Sequence, residues 1–186
     1  MGLAGTGFRL KKTVVLVGMM GSGKTAVGTA LARLLGVPFL DSDAEIEKVA
    51  SRTIAEIFER DGEPFFRQKE TQVIGRLLDT ERGILSTGGG AYLSAQNRQL
   101  IADKGIAVWL RADLDLLWSR VRHKNTRPLL RTANPRATLA ELAEAREPLY
   151  AKAALIVDAQ PGYAIDDMAR RVIETLETRP DVLERL

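Results

Sequence analysis

Short apolar runs alternate with segments of helical periodicity along most of this chain. Between the runs, apolar residues recur at helical spacing, as Leu114, Leu117 and Val121 do. Because strands that alternate with helices form parallel sheets covered on both faces, the pattern predicts an α/β fold. It predicts a three-layer sandwich in which helices flank a five-stranded parallel sheet. The predicted strands are Val14–Val17, Phe39–Leu40, Gly83–Ser86, Ile106–Leu110 and Leu155–Val157.

Three segments lie outside this alternation. We predict a disordered leader at 1–10, a mobile lid in the polar and basic segment 122–135, and an exposed tail at 180–186.

Gly36 stands where a glycine commonly ends a helix. The predicted helices are Val27–Leu35, Ala44–Ala50, Ile54–Arg60, Glu63–Leu78, Ser94–Ala102, Leu114–Val121, Ala137–Arg146 and Ile165–Leu176. We predict one domain over 1–186.

Composition excludes several functional classes. The 186 residues contain no cysteine, which rules out disulfides, thiolate zinc sites and thiol nucleophiles, and we expect a cytoplasmic protein. No apolar run approaches the roughly 18 residues of a membrane span, and no run of five basic residues occurs. We therefore expect neither a membrane nor a nucleic-acid partner. The net charge of +3 suits a pocket for phosphates and carboxylates.

The segment Gly18–Thr25 matches the phosphate-loop pattern G-x-x-x-x-G-K-[ST], and it lies between a predicted strand and a predicted helix. Its glycines let successive backbone N–H groups point at a polyphosphate. Lys24 can reach the β- and γ-phosphates, and the Thr25 hydroxyl can bind Mg²⁺. The predicted ATP-binding residues of this segment are Gly21, Ser22, Gly23, Lys24, Thr25 and Ala26.

Two aspartates follow the second predicted strand. The third strand ends without the acid that usually holds the metal in phosphate-loop ATPases, so we assign Mg²⁺ to Asp41, through water. In this interpretation Asp43 would contact the acceptor hydroxyl. The alternative is that Asp41-Ser42-Asp43 only caps the following helix, since Asp and Ser are favoured caps.

Two later motifs also fall near the predicted cleft. Arg67, which follows two phenylalanines, could form an ordinary helix-face ion pair with Glu70 or could clamp a carboxylate. The three consecutive glycines Gly88–Gly90 indicate close approach of the backbone to a ligand. Arg127 lies in the predicted lid, from which it could neutralise charge on a transferring phosphoryl group.

In this order, the motifs G-x-x-G-x-G-K-T, D-S-D, F-R-x-x-E, G-G-G and R-P-L-L, followed by Arg146-x-Pro-Leu-Tyr150, resemble the shikimate kinase family. The resemblance runs from about Lys11 to Leu176. It implies transfer of the ATP γ-phosphoryl group to the 3-hydroxyl of shikimate, a step of aromatic amino acid biosynthesis. Mg²⁺ would be the cofactor, ATP and shikimate the partners, and the expected state is a monomer.

The resemblance also implies residue roles. Lys24, Asp43 and Arg127 would be catalytic, with Arg127 contacting ATP as well. Arg120 and Pro161 would hold the adenine. The implied substrate-binding residues are Asp43, Arg67, Gly88, Gly89, Gly90 and Arg146. The lid has its own sequence, and its one histidine, His123, is interpreted as solvated.

Three alternatives stay open at this point. Gluconate kinases share the phosphate loop but lack the ordered set of later motifs. A nucleoside monophosphate kinase would need a second base pocket, of which the sequence shows no sign. A non-catalytic nucleotide-binding module would lose Asp43 or the lid arginine, and both are present.

Overall fold

The computed structural model describes residues 7–123 and 128–186. In this part of the chain the strands are β1 (Phe8–Leu10), β2 (Thr13–Val17), β3 (Phe39–Asp41), β4 (Ile84–Ser86), β5 (Gly105–Arg111), β6 (Leu155–Asp158) and β7 (Leu183–Arg185). The helices are α1 (Lys24–Leu35), α2 (Ser42–Ala50), α3 (Ile54–Asp61), α4 (Glu63–Thr80), α5 (Ala95–Lys104), α6 (Leu114–Val121), α7 (Pro135–Tyr150) and α8 (Ile165–Leu176). Short 3₁₀ turns cover Ala91–Leu93 and Pro128–Leu130.

The main sheet has five parallel strands in the order β3-β4-β2-β5-β6, as predicted. The central strand β2 is buried along its whole length because neighbours flank it on both edges and helices cover both faces. Val14 pairs with Ile84 on one side and with Ile106 on the other. The phosphate loop therefore leaves the sheet at its centre, between the carboxyl ends of β4 and β5.

Alternation along the strands divides the interior into two cores. Val15 and Val17 face one core, which includes residues of α4, α6 and α7. Val14 and Leu16 face the other, which α1 and α8 cover. Successive side chains of a strand point to opposite faces, so one apolar strand supplies both cores. The three-layer α/β prediction is confirmed.

The two ends of the chain differ from the prediction. β1 pairs antiparallel with β7 in a second, two-stranded sheet, and Leu10 pairs with Leu183. Val182 is 0% exposed and Leu183 is 2% exposed, so the prediction of an exposed tail at 180–186 is wrong for these residues. Residues 8–10 are likewise ordered in a strand. The predicted disorder of residues 1–6 lies outside the described part of the chain.

Part of the segment predicted as a lid, 122–135, is ordered in the structure. Helix α7 begins at Pro135, and the Asn134 side chain caps it by accepting from the Ala137 amide. Leu130 is 6% exposed and belongs to a hydrophobic core, so part of the segment packs on the body of the protein. Residues 124–127, and with them Arg127, lie outside the described residues, and the mobility of the segment stays a prediction.

No helix in the described ranges is both long enough and apolar enough to cross a membrane.

Candidate active site

A cleft of about 670 Å³ opens at the carboxyl ends of the central strands. Ligands of open α/β sheets bind in this position. We call one side the phosphate-loop end (Gly18–Thr25 and Arg120) and the other the arginine end (Asp43, Arg67, Gly88–Gly90 and Arg146). The predicted site residues that line the cleft are Gly21, Ser22, Gly23, Lys24, Thr25, Ala26, Asp41, Asp43, Arg67, Gly88, Gly89, Gly90, Arg120 and Arg146.

The phosphate-loop end is shaped mainly by its backbone. Gly21 has φ of 82° and Gly23 has φ of 95°, in the left-handed region that other residues rarely adopt. Lys24 donates from Nζ to the carbonyl oxygens of Gly18 at 2.7 Å and Met19 at 3.1 Å. In this state the lysine ammonium is held by the loop's own carbonyls, at the start of α1, where the backbone N–H groups favour an anion.

Arg120 crosses from α6 to the phosphate loop. Its guanidinium donates to the Gly21 carbonyl oxygen at 3.0 Å, and the residue lines the cleft. Pro161, its predicted partner at the adenine, is exposed and does not line the cleft. Three other residues from this part of the chain line the cleft instead, and sequence reasoning missed them: Tyr163, Ile165 and Met168. Their signal in the sequence was an aromatic and two apolar residues within the six positions that follow Gly162.

The two aspartates have different roles in the structure. Asp41 caps α2, since its Oδ1 accepts from the Ala44 amide at 3.1 Å. The Oδ1 atom of Asp43 is buried and has no hydrogen-bond partner among the described residues. A Cβ placed on Gly88 would lie 2.9 Å from that atom, so the Asp43 carboxylate packs directly against the glycine backbone. The cap interpretation therefore applies to Asp41 and fails for Asp43.

Burial raises the pKa of Asp43 above its ordinary value. The negative charges of Asp41 and Glu47 raise it further, while the positive charges of Arg67 and Lys24 lower it. The net direction is upward because desolvation dominates. Asp43 is thus a carboxyl with an enhanced affinity for a proton, placed at the edge of a cleft.

The arginine end contains an ion pair between a half-buried arginine and a buried glutamate. Arg67 donates from Nη1 to Glu70 Oε1 at 2.9 Å, which confirms the helix-face pair, and Arg67 lines the cleft as well. Glu70 is 1% exposed, and its Oε2 has no partner among the described residues. Burial raises the pKa of Glu70, and the charge and hydrogen bond of Arg67 lower it. Glu70 therefore restricts the orientation of the guanidinium that faces the cleft.

Each glycine of the Gly88–Gly90 run faces a different charged side chain. Besides the contact of Gly88 with Asp43, a Cβ on Gly89 would lie 3.0 Å from Arg146 Nη1. A Cβ on Gly90 would overlap the Arg67 guanidinium at Nη2. None of the three has a positive φ, so the structure requires glycine here for space and not for backbone conformation. Sequence reasoning anticipated close approach of a ligand, whereas the structure shows close approach of these three side chains.

The donor set near the phosphate loop is compatible with Mg²⁺. Within residues 7–123 and 128–186, no three His, Cys, Asp or Glu residues cluster in a way that could hold a metal by themselves. Mg²⁺ usually keeps several waters and binds through substrate phosphates and one or two protein oxygens. The hydroxyl of Thr25 and the carboxylate of Asp41, which both line the cleft, fit that pattern.

A phosphate loop at the centre of a parallel sheet, facing a carboxyl of raised pKa and two arginines, is the arrangement of a phosphate-loop kinase. The family model described as shikimate kinase matches residues 20–177, and the chain belongs to the shikimate kinase family.

Relatives with that name are similar over most of the chain. The shikimate kinase of Cereibacter sphaeroides is 66% identical over 95% of this chain and 88% of its own length. That of Ruegeria pomeroyi is 63% identical over 94% and 90%. The solved shikimate kinase of Acinetobacter baumannii in complex with shikimate has a TM-score of 0.84 at 40% identity, covering 90% of this chain and 93% of that one.

Proposed function

We propose that this protein is an ATP-dependent shikimate kinase that phosphorylates the 3-hydroxyl of shikimate. The observation that carries the proposal is the Asp43 carboxylate, whose buried Oδ1 has no hydrogen-bond partner among the described residues, together with Arg67 and Arg146 in the same cleft as the phosphate loop. Two arginines can bind the carboxylate of shikimate, and the carboxyl can accept a hydroxyl proton. The similarity to named shikimate kinases supports the same assignment.

In the proposed reaction the acceptor oxygen bonds to the γ-phosphorus while the bond from that phosphorus to the β,γ-bridging oxygen breaks. ADP leaves with the electron pair, and the hydroxyl proton passes to Asp43, whose raised pKa favours this step. Lys24 and Arg127 neutralise charge on the phosphoryl oxygens. Thr25, and Asp41 through water, would hold Mg²⁺, which would supply further charge neutralisation.

The remaining roles complete the proposal. Gly21–Ala26 bind the phosphates, Arg120 contacts the adenine, and Gly88–Gly90 approach the substrate hydroxyls. Pro161, the other residue predicted at the adenine, is not part of the proposal because it does not line the cleft. The chain acts as one kinase domain over 1–186, as a cytoplasmic monomer that needs neither nucleic acid nor membrane.

ADP release measured with shikimate, gluconate and nucleoside monophosphates as separate acceptors tests the assignment. We expect shikimate to give the highest kcat/KM, with phosphate found on its 3-oxygen. Faster turnover of gluconate would identify a carbohydrate kinase. ATP binding without turnover of any acceptor would identify a non-catalytic module.

A further inference from the structure

Tyr150 connects helix α7 to the glycine run. The residue is 0% exposed and ends the helix, and its hydroxyl donates to the Gly89 carbonyl oxygen at 2.7 Å. Tyr150 does not line the cleft. Its hydroxyl therefore bonds to the backbone of a cleft residue from outside the cleft.

A second side chain of the same helix contacts Gly89 from another direction. Residues four apart lie on one face of a helix, and Arg146 precedes Tyr150 by four. Arg146 Nη1 lies 3.0 Å from the point where a Gly89 Cβ would stand. The carbonyl group of Gly89 thus accepts from Tyr150, and the Arg146 guanidinium lies where a Gly89 side chain would begin. Two side chains of one helix therefore meet the same glycine.

The last turn of α7 needs a support of this kind. Pro148 lies inside the helix and has no N–H to donate, so one backbone hydrogen bond of the final turn is missing. The Tyr150 ring packs against Trp109 of β5, with the ring centroids 5.9 Å apart. The ring packing and the hydroxyl hydrogen bond of Tyr150 together stabilise the last turn of α7, in which the backbone makes one hydrogen bond fewer.

We propose that Tyr150 is a positioning residue for the acceptor subsite. Through its hydroxyl, Tyr150 holds the Gly89 backbone in place relative to the Arg146 guanidinium. The subsite is that of the function proposed above, on which the kinetic part of this inference rests. Burial raises the pKa of the Tyr150 phenol, and Arg146 lowers it by its charge and by hydrogen bonding.

Tyr150→Phe tests the role because it removes the hydroxyl and keeps the ring against Trp109. Loss of one hydrogen bond corresponds to about a threefold to tenfold effect. We expect the KM for shikimate to rise by this factor while the KM for ATP stays within twofold of wild type, roughly the noise of such measurements. Equal changes in both KM values, or none, would overturn the proposal.

Tyr92→Phe is the matched control. Tyr92 is 4% exposed, belongs to the same hydrophobic core and lies just after the glycine run, but its hydroxyl makes no hydrogen bond to the three glycines. We expect this variant to keep the wild-type KM for shikimate. An equal rise in both variants would indicate a general response of the core to losing a phenol and would overturn the role of Tyr150.

Hydrogen exchange in the ligand-free protein tests the same contact without any acceptor. In wild type the Ala91 amide donates to the Gly88 carbonyl oxygen at 3.1 Å, which makes its protection a measure of order in the run. We expect the peptide covering 88–93 to exchange faster in Tyr150→Phe than in wild type or Tyr92→Phe. Unchanged exchange would overturn the proposal whichever acceptor the enzyme uses. Absence of shikimate turnover by wild type would instead overturn the proposed function alone.

Discussion

The two ends of the cleft are built by different means. The phosphate-loop end comes mainly from one continuous segment, Gly18–Thr25, to which α6 adds only Arg120, and its shape depends on left-handed glycines and backbone groups. The arginine end draws side chains from α2, α4 and α7, which meet at the glycine run after β4. One end is therefore local in sequence, and the other exists only when three helices pack in their native positions.

The two ends also differ in electrostatics. At the arginine end Asp43 and Glu70 each have a raised pKa, caused first by burial, and each has a buried carboxylate oxygen without a partner among the described residues. Unpartnered buried polar groups lower stability. At the phosphate-loop end the buried atom without a partner among the described residues is the uncharged Ser22 Oγ, and the charged Lys24 bonds to two loop carbonyls. We therefore expect the functional residues of the arginine end to lower the stability of the protein more than those of the phosphate-loop end.

The largest effect is expected from Asp43→Asn. Loss of a general base lowers kcat by about 10²–10⁴-fold. The variant should nevertheless be at least as stable as wild type at neutral pH, because it removes a buried charge. Steady-state kinetics and thermal unfolding measure both quantities. A stable variant with near-normal kcat would contradict the assignment of Asp43 as proton acceptor.

Asp41→Asn is the control for that experiment. Asparagine is also a good N-cap, so α2 should keep its start. We expect a lower activity that raised Mg²⁺ partly restores, because the proposed role of Asp41 is to hold the ion through water. Rescue of Asp43→Asn by Mg²⁺ to the same degree would remove the distinction between the two aspartates.

Lys24→Ala is expected to have the next largest effect, at the opposite end of the cleft. Removing one group that stabilises transition-state charge lowers kcat by about 10²–10³-fold. The fold should persist, because a half-buried loop lysine contributes little to either core. Lys48→Ala, at an exposed position of α2, should behave as wild type in both assays. Wild-type turnover by a folded Lys24→Ala protein would contradict the phosphate-loop assignment.

Arg67→Lys tests carboxylate recognition while keeping the charge. Lysine lacks the planar fork that can bind Glu70 and a ligand carboxylate together. Loss of a charged hydrogen bond corresponds to a rise of roughly tenfold to a hundredfold in the KM for shikimate. Arg76→Lys is the control, since Arg76 lies on the same helix in an exposed pair with Glu45. An unchanged KM in Arg67→Lys would show that the clamp assignment is wrong.

Gly90→Ala tests the inference that the glycines provide space for side chains. The new methyl group would displace the Arg67 guanidinium, so we expect a smaller rise in the KM for shikimate than in Arg67→Lys and no change in the KM for ATP. Gly75→Ala is the control in helix α4, where the added Cβ meets its nearest atom at an ordinary 3.8 Å. That variant should keep both KM values and gain about 0.5–1 kcal/mol of stability.

The smallest expected effect is a pH dependence of stability. A carboxyl whose pKa is raised by folding stabilises the protein below its unfolded pKa, and this contribution is lost as the pH rises through the folded pKa. The free energy of unfolding of Asp43→Asn relative to wild type should therefore increase from acidic to neutral pH. Urea unfolding at several pH values measures it. A difference that falls with pH would contradict the raised pKa of Asp43.

The sequence alone was sufficient for the main sheet and for the position of the phosphate loop within it. Buried strands and amphipathic helices leave periodic patterns, and the loop is a contiguous motif, so both depend on residues that are neighbours in the chain. The terminal ribbon of β1 and β7 left no such pattern. It joins three-residue strands from opposite ends of the chain, and Leu10 and Leu183 become buried only after they pair.

Tertiary structure decided how the ambiguous residues are used. Asp41 and Asp43 both fit a cap in the sequence, and only the packing of α2 against the glycine run separates the cap from the cleft carboxyl. The contact between Tyr150 and Gly89 spans 61 positions of the chain. Local patterns record which face of an element is apolar, but they do not record which distant groups that face will meet. The burial that raises the pKa of Asp43 is therefore a property of the folded structure.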